Sequence, residues 1–426
     1  LRVASRTSVF SYKGRATDVR RIGAELRVAD VIEGSVRRSG RRLRVTARLT
    51  NAVDGTQKSV LRFDRDADDL FALEDELAAA IVDTLRPKLL PTSVHVAARR
   101  YTDNADAYRL YLQGRYAWNK RTYEDTAQAI KFFEAAIRED PTYALAYSGL
   151  SDAHALQLDY RNVPVGEGMA HAKEYARKAL ELDDALAEAH ASLGWVLFIH
   201  DWNWHESMIH FERAVSLSPW YATAHQWYAF PLVALGQFDR ALAQVQLAVE
   251  FDPSSVSVRR SRGGVLYYAR RYEESLPHLE RAAEMNPFSE ETHRAFGFSY
   301  LHLGELERAE RAFREGLRYT PESAYSLAGL AGTLHRRGRA ADVATLRQEL
   351  ERRASTGYVS SAAFVMLHAL LGNVDEANAW LQKAYDERRG FVAYIAVNPT
   401  LDSLRGSAAF DAMLDRLRLN RVTALA

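Results

Sequence analysis

The stretch ETHRAFGFSYLHLGELERAERAFREGLRYTP, Glu291–Pro321, decides the fold. His293, Phe296, Gly297 and Tyr300 fall at helical spacing, Gly304 turns the chain, and Ala309, Phe313 and Gly316 mark a second helix that Pro321 stops. Gly297 and Ala309 are small enough to let the two helices approach, while Tyr300 and Phe313 fill the seam between them. One such hairpin cannot bury its own apolar face, so it needs neighbours of the same kind.

The neighbours are present. Pro219, Pro253, Pro287 and Pro321 stand 34 residues apart, and Gly304, Gly338 and Gly372 keep the same interval. The slots recur as Tyr228, Ala229, Ala241, Ala248 and Pro253, then as Gly263, Leu279, Ala282 and Pro287. Earlier copies end at Pro141 and Asp184, with a longer turn around Arg121–Tyr123 and an insertion near Asn162–Gly166. The last copy carries Gly372, Ala377, Leu381 and Ala384. A fixed period of this length predicts an α-solenoid of about eight helical hairpins over residues 105–389, least regular in the second helix around Leu330–Leu350. Its open end needs a cap, and residues 390–426, with Phe391–Val397, Pro399 and Ala408–Leu417, are expected to supply it.

Residues 1–90 read differently. Leu1–Phe10, Val31–Arg37, Leu43–Leu49 and Ser59–Phe63 alternate as strands, with turn signals at Ser39-Gly40 and Asp54-Gly55. Asp18–Leu26 and Asp69–Leu85 have helical spacing, giving a small α+β unit of order β-α-β-β-β-α. Pro87 and Pro91 then lead into a linker over 91–104.

Composition narrows the function. The 426 residues carry a formal net charge of +1, which argues against whole-chain capture of nucleic acid or membrane. No cysteine is present, so disulfides, Cys-bound zinc, iron–sulfur clusters and thiol chemistry are out of reach. That absence suits a reducing cytosol and an oxidising periplasm equally, and the compartment stays open. No apolar run approaches the roughly 20 residues of a membrane-spanning helix. The chain starts at Leu1 without a signal-like segment, which reads as a piece of something longer.

The repeat slots resemble the tetratricopeptide repeat, a helix-turn-helix unit of 34 residues, over roughly 105–389. The amino-terminal unit resembles the TolB-like domain that precedes such repeats in many bacterial regulators. The residues carrying that likeness are Leu1–Thr7, Ile32–Arg37, Phe63–Arg65 and Leu70–Glu76, and Asp201-Trp202-Asn203-Trp204 is also typical of the group. The resemblance implies a mostly α protein, a right-handed superhelix preceded by a small α+β domain. It also implies a parent with a winged-helix, adenylate cyclase or Ser/Thr kinase head, on the cytoplasmic or periplasmic side of a membrane-anchored bacterial regulator. No such head is visible in this chain, and the family's first domain usually begins with another strand and helix.

In this family the first helix of each unit lines the concave face. Mapped residue by residue, the inward positions are Tyr108, Tyr111, Arg115 and Trp118, then Ser148 and Asp152, then Trp195 and Phe198. Gln226, Trp227 and Phe230 follow, then Arg260, Ser261, Tyr267 and Tyr268, then Arg294, Phe298 and His302, and finally His335 and Arg336. Trp, Tyr and Arg dominate binding energy at interfaces, and Arg260 and Arg294 occupy equivalent slots suited to bidentate carboxylate recognition. The expectation is a groove for an extended or helical peptide with acidic and aromatic anchors. Set against it, rings at helical spacing often pack between units instead. The chaperone-binding members grip a terminal carboxylate with Lys and Asn, but Tyr111 and Arg115 stand in those slots here.

Other patterns carry less. Residues 1–65 hold sixteen Lys/Arg against six Asp/Glu, including Arg37-Arg38-Ser39-Gly40-Arg41-Arg42, but without interleaved aromatics to stack on bases. A solvated turn explains them, with a nucleic-acid or anionic surface as the alternative. His200, His205 and His210 lack the i, i+4 spacing of helical zinc sites, and His190, His225 and His293 share one slot at the helix seam. Phosphate-binding loops, dinucleotide fingerprints and nucleophile elbows are absent from the sequence. The sequence therefore reads as a non-catalytic interaction scaffold with no cofactor or metal, in a bacterial signalling or transcription-regulatory context. Self-association as a structural component is the remaining alternative.

Overall fold

A computed structural model describes residues 4, 8–9, 12–14, 17–66, 70–85, 101–160 and 168–420. The insertion at 162–166 and most of the expected linker lie outside these residues. So does most of the expected first strand. Of it, Ala4, Ser8 and Val9 are described; Ser8 and Val9 are helical, and the Ser8 hydroxyl donates to Asp252 Oδ1 at 2.6 Å and accepts from the Ser254 N–H at 3.0 Å.

The amino-terminal unit runs α1 (Val19–Leu26), β1 (Asp30–Ser39), β2 (Arg42–Asn51), β3 (Gln57–Asp66) and α2 (Leu70–Leu85). The Asp18 side chain caps α1 by accepting from the Arg20 N–H. The strands form an antiparallel sheet in the order β1-β2-β3. Val45, Ala47 and Leu49 alternate onto its inner face, where Leu73 of α2 is buried with them.

Eight helical hairpins follow among the described residues. The first four pair α3 (Ala105–Asn119) with α4 (Tyr123–Glu139), α5 (Ala144–Tyr160) with α6 (Gly168–Leu182), α7 (Ala187–Val196) with α8 (Trp204–Leu217), and α9 (Ala222–Ala234) with α10 (Phe238–Phe251). The last four pair α11 (Val256–Tyr268) with α12 (Tyr272–Met285), α13 (Glu290–Leu303) with α14 (Leu306–Tyr319), α15 (Ala324–Arg336) with α16 (Ala340–Thr356), and α17 (Ser361–Leu370) with α18 (Val374–Asp386). Ser255, Ser289 and Ser323 each accept from a backbone N–H three residues on, which starts α11, α13 and α15.

Local chemistry explains the period. The described turns within hairpins hold one residue in the left-handed region, and Gly236, Gly304, Gly338 and Gly372 supply it at φ of +69° to +81°. Arg121 at +60°, Trp202 at +54° and Arg270 at +60° fill the same slot in three units. At the seam, Phe313 is fully buried, and a Cβ added at Gly297 or Gly329 would stand 2.6 or 2.3 Å from its ring. The two glycines are the space that the ring occupies. His190, His225 and His293 share a further role: each ring Nε2 hydrogen-bonds the carbonyl six residues earlier, that of Asp184, Pro219 or Pro287, at 2.8–3.0 Å.

The carboxy-terminal segment departs from a simple end cap. Two 3-10 turns, Gly390–Tyr394 and Pro399–Leu404, and the helix α19 (Ala408–Arg416) fold back against the middle of the array. Tyr394 stacks on Tyr268 with ring centroids 5.2 Å apart and meets Phe198 and Phe230 edge-on. Tyr267 hydrogen-bonds Thr400, Arg270 donates twice to Asp402 at 2.7 Å, and Trp204 Nε1 donates to the Leu417 carbonyl at 2.8 Å. Ile395, Ala396, Leu401, Leu404 and Phe410 are fully buried in the core that also holds Trp195, Trp227 and Leu232. The reason is the apolar inner face of α7, α9 and α11, which this segment removes from water.

Candidate functional site

With the middle of the concave side occupied, the described residues leave a cleft of about 1120 Å³ that crosses the amino-terminal ends of α9, α11, α13 and α15, ends against α3, and meets Ser8 at its Asp252–Ser254 edge. The 34-residue period arranges its lining in rows. Trp220, Ser254, Phe288 and Glu322 stand on the inter-hairpin turns, Tyr221, Ser255, Ser289 and Ser323 begin the helices, and Gln226, Arg260 and Arg294 lie along the floor. Trp220 and Phe288 are 61% and 68% exposed, so the rim offers two large apolar surfaces to solvent two repeats apart.

The floor is charged and internally ordered. Arg294 Nε donates to Glu290 Oε1 at 3.1 Å, and the same oxygen accepts from the Ser323 and Ser326 hydroxyls at 2.6 Å each. Arg260 lies 3.5 Å from Glu291. Burial works to raise the Glu291 carboxyl, but Arg260, Arg294 and the Ser289 hydroxyl together hold it below its ordinary value. Gln226 Nε2 donates to Ser257 and Ser261 at 2.8 and 2.9 Å. Positive helix ends add to the attraction for negative charge along this row.

At the α3 end, Arg115 donates to Asp152 at 3.1 Å and lies 4.3 Å over the Trp118 ring, with Arg121 3.5 Å from that ring's centroid. Asp152 is buried and also accepts from Ser192 at 2.6 Å. Trp118 Nε1 and the Tyr221 hydroxyl are buried with no hydrogen-bond partner among the described residues. Such groups are costly unless something else meets them.

The expected groove residues divide. Tyr111, Arg115, Trp118, Gln226, Arg260 and Arg294 line the cleft. Phe198, Phe230, Tyr267 and Tyr268 contact the carboxy-terminal segment instead. Trp195 and Trp227 stack on each other inside the core, 5.2 Å apart. Phe298 packs on Phe313, His302 stacks on Tyr272, and Tyr108 is half-buried on α3. Four of these positions lie where the chain's own end fills the space. The rim aromatics Trp220 and Phe288 escaped the sequence reading. Each directly follows a ruler proline, and that register was the available signal.

Other candidates find local partners. Arg42 and Arg44 both donate to Asp64, and Arg41 lies 3.6 Å from Asp66, so part of the basic hairpin is neutralised within the sheet. His200 bonds Asp201, and His210 bonds His190 at 2.8 Å. Among the described residues no three potential metal ligands come together, and no helix is long and apolar enough to cross a membrane.

Comparison with known proteins agrees with the repeat geometry. Residues 232–290 and 295–357 match the family model described as tetratricopeptide repeat. These stretches are tetratricopeptide repeats. The family is generally non-catalytic, and its members bind protein or peptide partners. The chain is similar to the Rhizobium meliloti protein carrying the name adenylate cyclase 3, with 30% identity over 196 residues, 46% of this chain and 33% of that protein. It is also similar to the transcriptional regulator HilA of Salmonella typhimurium, with 26% identity over 166 residues, 39% of this chain and 30% of the regulator. The chain thus spans about a third of the length of these curated relatives. Among solved structures, yeast Tom70 aligns at 16% identity with a TM-score of 0.43, covering 83% of this chain and 76% of Tom70. YrrB, described as a TPR protein with an unusual peptide-binding site, aligns at 22% identity and a TM-score of 0.32, covering 46% of this chain and 95% of YrrB.

Proposed function

We propose that this chain is a non-catalytic recognition module that holds an extended partner segment in the cleft across α9, α11, α13 and α15. The observation that carries it is the alignment of three repeat rows on one open face: exposed Trp220 and Phe288 on the rim, helix amino termini behind them, and Arg260 and Arg294 below. The partner segment would set aromatic or aliphatic side chains against Trp220 and Phe288. It would direct carboxylates at the two arginines, competing with Glu290 and Glu291. Stiff repeats lower the ordering cost of such binding because the site is already formed. The relatives' names, an adenylate cyclase and a transcriptional regulator, support a place beside a bacterial signalling or regulatory head, with the α+β unit as a TolB-like domain between them.

Peptides selected from a random library on the whole chain provide the test. Their affinity for the parent is compared with that for Arg260→Glu and for a Trp220→Ala/Phe288→Ala pair. Each variant should weaken binding by about 2 kcal/mol, roughly thirtyfold. A competing carboxylate should also make the affinity fall with added salt. Equal affinity for parent and variants would remove the cleft as the site.

A further inference from the structure

The hairpin α11–α12 breaks a pattern that its neighbours share. The slot of His225 and His293 holds Arg259, that of Tyr228, Phe296 and Leu330 holds Arg262, and that of Gln244, Ala312 and Leu346 holds His278. The repeat fixes where these three side chains meet. In the preceding hairpin His225 Nδ1 bonds Gln244 Oε1 across the seam at 2.6 Å, and Arg259 and His278 stand in those two slots one period later. Arg259 also keeps the backbone bond of its sister histidines, its Nε donating to the carbonyl six residues earlier, that of Pro253, at 3.2 Å. Arg262 follows one turn along α11. Its neighbour Gly263 packs on Leu279, where an added Cβ would stand 2.6 Å from the side chain, so Arg262 and His278 flank the same seam.

Positive charge gathers there without an ion pair. Among the described residues no carboxylate hydrogen-bonds Arg259 or Arg262, and Arg262 Nε is buried with no hydrogen-bond partner. Glu274 takes two bonds from Arg271, and Glu250 accepts from Gln246. Burial, then Arg281, Arg262 and Arg27, holds Arg259 below the usual arginine range. Burial and Arg271 do the same to Arg262 against the pull of Glu250 and Glu274. Burial, then Arg262 and Arg259, lowers the pKa of His278 to about 4 against the pull of Glu274, so its ring is neutral at pH 7 and has one N–H to give.

We propose that Arg259, Arg262 and His278 together bind a phosphate group, either free or carried by a partner. Their donors come from two helices and do not share a plane. A tetrahedral oxyanion can meet all of them, whereas a carboxylate fits a single planar fork. It would also supply the acceptor that Arg262 Nε lacks and offset the repulsion between the guanidinium groups. All three side chains are half-buried, which leaves them within reach of solvent. The site is separate from the cleft. Arg260 of the same helix lines the cleft, while Arg262 lies about 200° further round α11, on its other side.

Calorimetric titration of the full chain with inorganic phosphate at pH 7, at an ionic strength held constant with chloride, tests the site. The parent should bind one phosphate per chain. Arg262→Phe and His278→Ala, which install the residues that the next hairpin carries at Phe296 and Ala312, should each weaken binding by about tenfold or more. Arg347→Gln, which removes a half-exposed arginine paired with Glu351 on α16, should leave it unchanged. Circular dichroism confirms that each variant is folded, and Arg259→Gln gives a third variant with the same expected loss. Phosphoserine peptides then separate the two sources. Displacement of phosphate by a phosphorylated peptide and not by its unmodified form assigns the group to a partner, and displacement by neither assigns it to free phosphate. No saturable binding up to about 10 mM phosphate would overturn the proposal, as would equal binding by the parent and the site variants.

Discussion

Arg270 stands where four sister turns have glycine, with φ at +60°. A side chain in that region costs about 1 kcal/mol, so a return should exist elsewhere. It exists in the two hydrogen bonds to Asp402, which fasten the carboxy-terminal segment to the turn. Replacing Asp402 by Asn should cost about 0.5–1 kcal/mol in the parent and clearly less in an Arg270→Gly background, where only the Arg405 donation to Asp402 remains to be lost. Urea melts of the four proteins measure that coupling. His302 makes the second residue-scale case. It is enclosed by Tyr267 and Tyr272, its Nε2 has no hydrogen-bond partner among the described residues, and burial lowers its pKa to about 4. An unfolded histidine titrates near about 6.5, so the unfolded state binds the proton first and stability falls as pH drops from about 6.5 towards 4. Between pH 7 and pH 5, His302→Gln should lose about 1–2 kcal/mol less stability than the parent. Parallel losses in both proteins would place the acid sensitivity elsewhere.

At the scale of elements, hairpins and strands were legible because their signals are local. Pro219 to Pro321 and Gly304 to Gly372 punctuate the chain, and alternation over 31–37 and 43–49 places β1 and β2. Local signals also explain what stayed hidden. Arg121, Trp202 and Arg270 break the glycine ruler while adopting its conformation, so three turns carried no glycine to mark them. Between α18 and α19 the chain has no helical period, and the partners of the carboxy-terminal segment lie far away: Tyr267 to Thr400 spans 133 positions and Trp204 to Leu417 spans 213. No pattern within the segment could show where it docks, and the groove list consequently mixed open positions with filled ones. A peripheral cap and a central spine differ in energy. Leu401 is fully buried, so Leu401→Ala should destabilise the whole array by about 2–5 kcal/mol in one cooperative transition. A change below about 0.5 kcal/mol would return the segment to the periphery.

Over the whole molecule, a solenoid filled along its middle by its own end carries a polar cleft at one lip. Repeats supply direction: equivalent residues at 226, 260 and 294 face the same way, which suits an extended ligand running across them. The filled core supplies rigidity, since the segment ties α7, α9 and α11 to the last hairpin. Ligand binding should therefore leave this core in place. Hydrogen–deuterium exchange of the full chain, with and without a library-selected peptide, tests that most directly. Residues 390–404 should exchange as slowly as α9 and α11 in both states, while 252–260 and 286–294 should slow on binding. Rapid exchange at 390–404, or its onset when peptide is added, would contradict the account and make this segment a displaceable occupant of the groove.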